Sequence, residues 1–264
     1  MDNRPLGIFD SGVGGLAVLQ EIKSLCPHED ILYYADSAHF PYGSQEPQVV
    51  QQLAMAATAA LVDEGVKLVV VACNTASSAA LSLLRQRYPI PFVGMVPAIK
   101  PASAGTRNGR VGVIATQGTL QGQVFADLVA QFAEGVTVLT QACPYLVEMV
   151  EDGETASPQV LCLLHRYLDP LLAQDIDTLV LGCTHYPFLR LAIEKVVGEG
   201  VTIIDASHAV AQQVERVLNS HHLNCQREGQ GRVTFLTSGP QERFREVVAR
   251  LLGPQALLSL TGSL

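Results

Sequence analysis

Two of the six cysteines sit in matching surroundings. VVVACNTASSAAL puts Cys73 at the C-terminal end of an apolar run, followed by small polar residues and a helix start, and LVLGCTHYPFLRL does the same for Cys183. A thiol at a strand-to-helix junction lies at the positive end of the helix dipole, which favours the thiolate. The plainer reading of either cysteine is a small buried core residue, the usual fate of a free thiol. Two chemistries are open to such a pair. In one, a single cysteine attacks as a nucleophile activated by a histidine. In the other, one thiolate removes a proton from carbon and the opposing thiol returns one to the other face. Duplication favours proton transfer, because inverting a stereocentre needs an acid and a base on opposite faces.

In parallel α/β sheets, ligands gather at the carboxyl ends of the strands. The residues after each apolar run are polar here: Asp10-Ser11-Gly12-Val13-Gly14-Gly15, Asp36-Ser37, Asn74-Thr75, Thr116-Gln117-Gly118-Thr119 and Thr184-His185. Asp10 alone reads equally well as a turn or capping carboxylate. His185 is spaced to pair with the Cys183 thiolate or to polarise a carboxylate. Its C-x-H spacing has no second ligand pair nearby, so no metal is expected. Gly12-Val13-Gly14-Gly15-Leu16-Ala17 also matches the loose dinucleotide fingerprint, with Asp36 about twenty residues on. An NAD(P)-dependent oxidoreductase is therefore the main rival. It leaves Asp10, both cysteines and the threonines without a role, and the same loop serves to bring backbone N–H groups to a substrate carboxylate. A small-ligand binding protein is the non-enzymatic rival.

The elements that must position these residues are legible. Apolar runs LGIF, ILYYA, KLVVVA, PFVGM, RVGVIA, VTVLT, DTLVLG, VTIID and RVTFLT alternate with stretches of helical period over 15–26, 47–63, 75–87, 119–132, 158–173, 184–197 and 206–219. This alternation predicts an α/β fold of mostly parallel sheets flanked by helices. GMVPAIKPASAGTRNGR reads as a boundary between two such series. The chain has 264 residues, 48% of them hydrophobic, enough for one large or two modest cores. Seventeen basic against 25 acidic residues give a net charge of -8, with no basic run to track a phosphate backbone, so nucleic acid is not an expected substrate. No leader-like segment and no apolar run long enough to span a bilayer occurs, so a cytoplasmic protein without a membrane partner is expected, its cysteines free.

Taken as strings, GIFDSGVGGL, YYADSAHFPYGS, VVACNTASS, VGVIATQGT, VEDGE and LVLGCTHYP together resemble the glutamate racemase family, in order through nearly the whole chain. The resemblance implies two pseudosymmetric α/β domains with the active site between them. It places residues 1–97 plus 213–264 in the first and 98–212 in the second. It implies cofactor-independent racemisation of glutamate, a small-molecule substrate, with D-glutamate supplied to peptidoglycan. Cys73 and Cys183 become the two bases, Asp10 assists Cys73, and Glu151 and His185 support Cys183. Asp10, Ser11, Asp36, Pro41, Tyr42, Gly43, Ser44, Asn74, Thr75, Thr116, Thr119, Thr184 and His185 become the substrate cradle. An aspartate racemase is the nearest alternative. The family pattern has proline where this chain has Glu148, which puts two carboxylates on one helical face, Glu148 and Glu151. Members of the family are often homodimers, and the residues identify no surface for one.

Overall fold

The computed structural model describes residues 2–226 and 228–259. The first series runs β1 (Leu6–Asp10), α1 (Leu16–Leu25), β2 (Ile31–Ala35), α2 (Pro47–Asp63), β3 (Leu68–Val71), α3 (Asn74–Arg87) and β4 (Phe92–Gly94). The second runs α4 (Ile99–Gly105), β5 (Arg110–Ala115), α5 (Gln117–Gln121), α6 (Gln123–Phe132), β6 (Thr137–Ala142), α7 (Leu146–Glu151), α8 (Pro158–Leu172), β7 (Thr178–Leu181), α9 (Arg190–Val197) and β8 (Thr202–Asp205). Then come α10 (Ser207–Ser220), β9 (Val233–Thr237) and α11 (Gln241–Leu252). All nine apolar runs are strands; β1, β3 and β7 are buried throughout, as their unbroken apolar runs suggest, while β6 and β8 at the edges of the second sheet are only partly covered.

Four helical details differ from the periodicity. The helix expected over 184–197 opens as a 3-10 turn, Tyr186–Leu189, and becomes α9 only at Arg190, so no α-helix starts directly after Cys183 as α3 does after Cys73. The stretch expected as one helix over 119–132 is two, broken at Gly122, where a Cβ would press on Ser78 Oγ of α3. The break lets α3 and the α5–α6 corner approach. The presumed boundary segment contains α4, which buries Ile99 and Ala102. The short α7 lies in a stretch with too few turns to show a period, and it carries Glu151. Elsewhere the local signals hold: Pro47 and Pro158 occupy first turns, and Ser157 caps α8 by accepting the Val160 N–H.

Both sheets are parallel. One has the order β4-β3-β1-β2-β9, the other β6-β5-β7-β8. Matching β1 to β5, β2 to β6, β3 to β7 and β4 to β8 gives the same strand order in each. Cys73 follows β3 and Cys183 follows β7, so the two thiols are topologically equivalent. Each stands beside the point where strand order reverses, the usual ligand crevice of such sheets. β9 pairs with β2, which returns the C-terminal segment to the first sheet. α10 packs along α1.

One hydrophobic core is continuous across both sheets, joining Leu16 and Val18 of α1 to Leu146 and Val150 of α7 and Leu189 before α9. Two further cores fill the outer faces, under α2–α3 and under α4–α6. Among the described residues, no helix is long and apolar enough to cross a membrane.

At the end of the first sheet away from the thiols, buried Lys67 ion-pairs with Glu29 and donates to the Asp2 carbonyl at 2.7 Å. Glu29 also accepts the Cys225 N–H at 2.7 Å, so one carboxylate ties the approaches to β2, β3 and β9 together. Lys67→Met leaves that carboxylate buried and unpaired, and is expected to destabilise the fold by about 3–5 kcal/mol in urea unfolding. Adding Glu29→Gln should recover most of the loss. A single variant that unfolds like the wild type would show the pair to be dispensable.

Candidate active site

The carboxyl ends of the two sheets face each other across a narrow cleft. Both thiols line it.

Cys73 caps α3, its Sγ accepting the Ala76 N–H at 3.5 Å. The capping bond alone favours a thiolate, as the sequence suggests. Burial outweighs it, however, and with the charge of Asp10 and a hydrogen bond to that carboxylate pushes the Cys73 thiol well above the ordinary range. The cysteine expected to be poised as a thiolate is thus held as a neutral thiol. Asp10 ends β1, is fully buried, and accepts the backbone N–H groups of Ser11, at 2.7 Å, and Gly15. Burial raises its pKa despite the nearby His185 charge and these two donors.

On the other side, Cys183 Sγ lies 3.7 Å from His185 Nδ1, and His185 Nε2 lies 2.8 Å from Glu151 Oε1. Burial disfavours the imidazolium, but its bonds to Cys183 and Glu151 outweigh that cost and hold the His185 pKa well above the usual value. Phe40 packs against the ring at 5.8 Å between centroids. The geometry brings Glu151, not Glu148, to His185. Glu148 instead lines an adjoining cavity together with Ser44 and Tyr145.

The remaining expected residues divide. Ser11, Pro41, Tyr42, Gly43, Asn74, Thr75, Thr116, Thr119 and Thr184 line the cleft with the cysteines and His185. Asp10, Asp36, Ser44 and Glu151 do not. Asp36 works behind the wall: it accepts the Tyr42 and Ser238 hydroxyls, both at 2.6 Å, and His39 Nδ1 lies 2.9 Å away, which pins the segment carrying Pro41–Gly43. Thr75, Thr116 and Thr119 bring three hydroxyls from both domains within 3.3 Å of one another. Asn74 is buried and neither of its amide atoms has a partner among the described residues. Among the lining residues there is no Lys or Arg, so an anion here meets only neutral donors, backbone N–H groups and His185.

The glycine loop has a different purpose from the one its fingerprint suggests. A Cβ on Gly12 would collide with the Glu151 carboxylate, and one on Gly14 would collide with His185 Nδ1 and Thr184 Oγ1. The glycines therefore admit second-domain side chains, which fill the space a pyrophosphate would need. Val13 N–H donates to Glu151 Oε1 at 2.6 Å, and the Tyr33 hydroxyl holds the Gly12 carbonyl at 2.8 Å. In the opposite sense, the Thr184 hydroxyl donates to Asp10 Oδ2 at 3.2 Å. Sequence reasoning missed Val13, Tyr33 and Phe40. Val13 acts through its backbone, which no side-chain type announces. Tyr33 and Phe40 read as ordinary apolar positions.

Known proteins resemble this chain over nearly its whole length. The family model described as Asp/Glu/Hydantoin racemase matches residues 7–214. A glutamate racemase of Roseiflexus sp. is 49% identical over 250 residues, 94% of this chain and 92% of its own. That of Ectopseudomonas mendocina is 48% identical over 96% of each chain. Among solved structures, a Bacillus anthracis glutamate racemase superposes with a TM-score of 0.88 at 35% identity, covering 96% of this chain and 95% of its own. The Escherichia coli enzyme, solved with L-glutamate and an activator, gives 0.83 at 35%, covering 94% and 95%. The Francisella tularensis enzyme, solved with D-glutamate, gives 0.85 at 29%, covering 100% and 97%. The chain belongs to the Asp/Glu/hydantoin racemase family, and within it to the glutamate racemases.

Proposed function

We propose that this protein interconverts L- and D-glutamate without a cofactor, Cys73 and Cys183 exchanging protons with opposite faces of the α-carbon. The observation that carries the reading is that two thiols at equivalent strand ends of facing sheets line one cleft. Relatives hold L-glutamate and D-glutamate in their structures, which supports glutamate as the substrate here. The rival dinucleotide reading loses its phosphate site to Glu151, His185 and Thr184.

The difficult step is ionising an α-carbon with no conjugated ring to accept the charge. Positioning and preorganised donors must lower that barrier. Ser11, the Asn74 amide, the α3 N-terminus and the threonine hydroxyls supply donors for two carboxylates. In one direction the thiolate of one cysteine takes the α-proton, its S–H bond forming as Cα–H breaks. The thiol of the other delivers its proton to the opposite face. In the reverse direction the roles exchange. Protonated His185, braced by Glu151, is the counter-charge for Cys183 after that thiol has given up its proton. Asp10 plays the corresponding but chemically different part beside Cys73. Residues 1–97 with 213–264, and 98–212, serve as the two domains of this proposal. The packing of α10 on α1 favours moving the second crossover to the start of that helix, and 260–264 lie outside the described residues. We place the reaction in the cytoplasm, where free thiols persist, with D-glutamate passing to peptidoglycan synthesis.

Incubating pure protein with L-glutamate in deuterated buffer, with nothing else added, should bring the circular dichroism signal to zero while deuterium enters the α-position. Glutamate that binds but keeps its α-proton would instead make the chain a binding protein. Cys73→Ser and Cys183→Ser should each abolish racemisation.

The state of Cys73 is testable separately. Alkylation by iodoacetamide needs the thiolate, and a raised pKa lowers the thiolate fraction at any given pH. Cys73 labelling, followed by peptide mass spectrometry, should begin at higher pH than that of exposed Cys162. Asp10→Asn, which removes the neighbouring charge, should shift the onset to lower pH. Because that variant leaves access unchanged, an unmoved onset would assign the effect to burial alone.

A further inference from the structure

Thr184 follows Cys183 directly, and proximity in sequence would assign it to that thiol. Its hydroxyl points the other way. Thr184 is 3% exposed, and Oγ1 donates across the cleft to Asp10 Oδ2 at 3.2 Å. Asp10 is the carboxylate whose charge, after burial, does most to raise the Cys73 thiol, on the other side of the cleft from Cys183. The other donors to Asp10 are the Ser11 N–H and hydroxyl and the Gly15 N–H, all from the same loop of the first domain. Thr184 alone among its described donors comes from the second domain. Gly14 makes this reach feasible, since any Cβ there would strike Thr184 Oγ1.

We propose that Thr184 is a positioning residue for Cys73: its hydroxyl orients the Asp10 carboxylate across the domain boundary and so sets the rate of proton transfer at the far thiol. This rests on the racemase reading above. In a dry, low-dielectric site, a carboxylate without a well-placed donor reorients or takes up a proton. Either change spoils the alignment of Asp10 with the Cys73 S–H. The step affected is ordinary proton transfer. In one direction the Cys73 sulfur takes the α-proton as the Cα–H pair passes to the substrate. In the other, the Cys73 S–H bond breaks and the proton goes to carbon.

The two enantiomers of glutamate have equal free energies, so any variant changes kcat/KM by the same factor in both directions. Rates alone therefore cannot tell which thiol is affected, whereas isotope effects can. Cys73→Ser identifies the enantiomer that Cys73 deprotonates, as the one whose α-deuteron release is lost. Thr184→Val is then assayed with α-deuterated L- and D-glutamate in water, and with protiated substrates in heavy water. We expect kcat/KM to fall about tenfold, as for a lost bond to a charged group. The substrate isotope effect should grow for the Cys73 enantiomer and shrink for its mirror image, and the solvent isotope effect should change in the opposite sense. Thr184→Ser, which keeps the hydroxyl, should restore the wild-type pattern.

The mirrored pattern would assign Thr184 to Cys183 and overturn the proposal. Slower turnover with unchanged isotope effects would also overturn it, reducing Thr184 to substrate binding or packing. If Thr184→Val does not fold, Thr184→Ala is read by the same criteria. Absence of α-exchange with either enantiomer in the wild type would instead overturn the racemase reading, and this assignment with it.

Discussion

The hydrogen bond from the Val13 N–H to Glu151, at 2.6 Å, crosses the cleft and fixes how closely the two domains approach. Glu151 spends one oxygen on this N–H and on His185 together, so the orientation of the imidazole beside Cys183 depends on a backbone atom of the first domain. Such closeness is possible only where Gly12 and Gly14 present no side chains. The Thr184 hydroxyl reaches Asp10 in return. Each thiol thus has a carboxylate behind it that is held from the other side of the cleft, and the two halves of the site are assembled together.

Burial without fixed cations sets the electrostatics. With no Lys or Arg in the lining, charge is stabilised by donors aimed in advance rather than by a counter-ion, and each misplaced donor costs more than it would in water. The two sides answer this differently. Around Cys73, burial and an adjacent carboxylate favour the neutral thiol. Around Cys183, a histidine held cationic by its two partners supplies positive charge next to sulfur. The groups that support the two thiols are therefore chemically unequal.

Much of this was readable before the fold was known, and the exceptions have physical causes. The strands were legible because burial on both faces of the central strands demands unbroken β-branched runs, and the thiols because strand ends are marked by an abrupt change to small polar residues. Gly12–Ala17 illustrates the opposite case. Its spacing fits a nucleotide loop, and only the side chains packed against Gly12 and Gly14 show which approach the glycines permit. Asp36 was placed near the site by position, but its bonds to Tyr42 and Ser238 make it a support of the cleft wall. Val13 was illegible because a backbone donor leaves no trace in residue type. The N-terminal preference expected for Cys73 failed because a capping bond is weaker than full desolvation.

The shared strand order explains why the thiols oppose each other, and it also exposes where the duplication stops. Asp10 ends β1, whereas the equivalent end of β5 is Ala115, followed by Thr116. The second domain therefore has no carboxylate at the matching place. Its carboxylate comes from α7, a short helix after β6, and reaches sulfur only through His185. Equivalent backbones deliver two sulfurs to opposite faces, while non-equivalent insertions supply their partners. The duplication thus extends to the two thiols and the strands that carry them, and not to the groups that support each thiol.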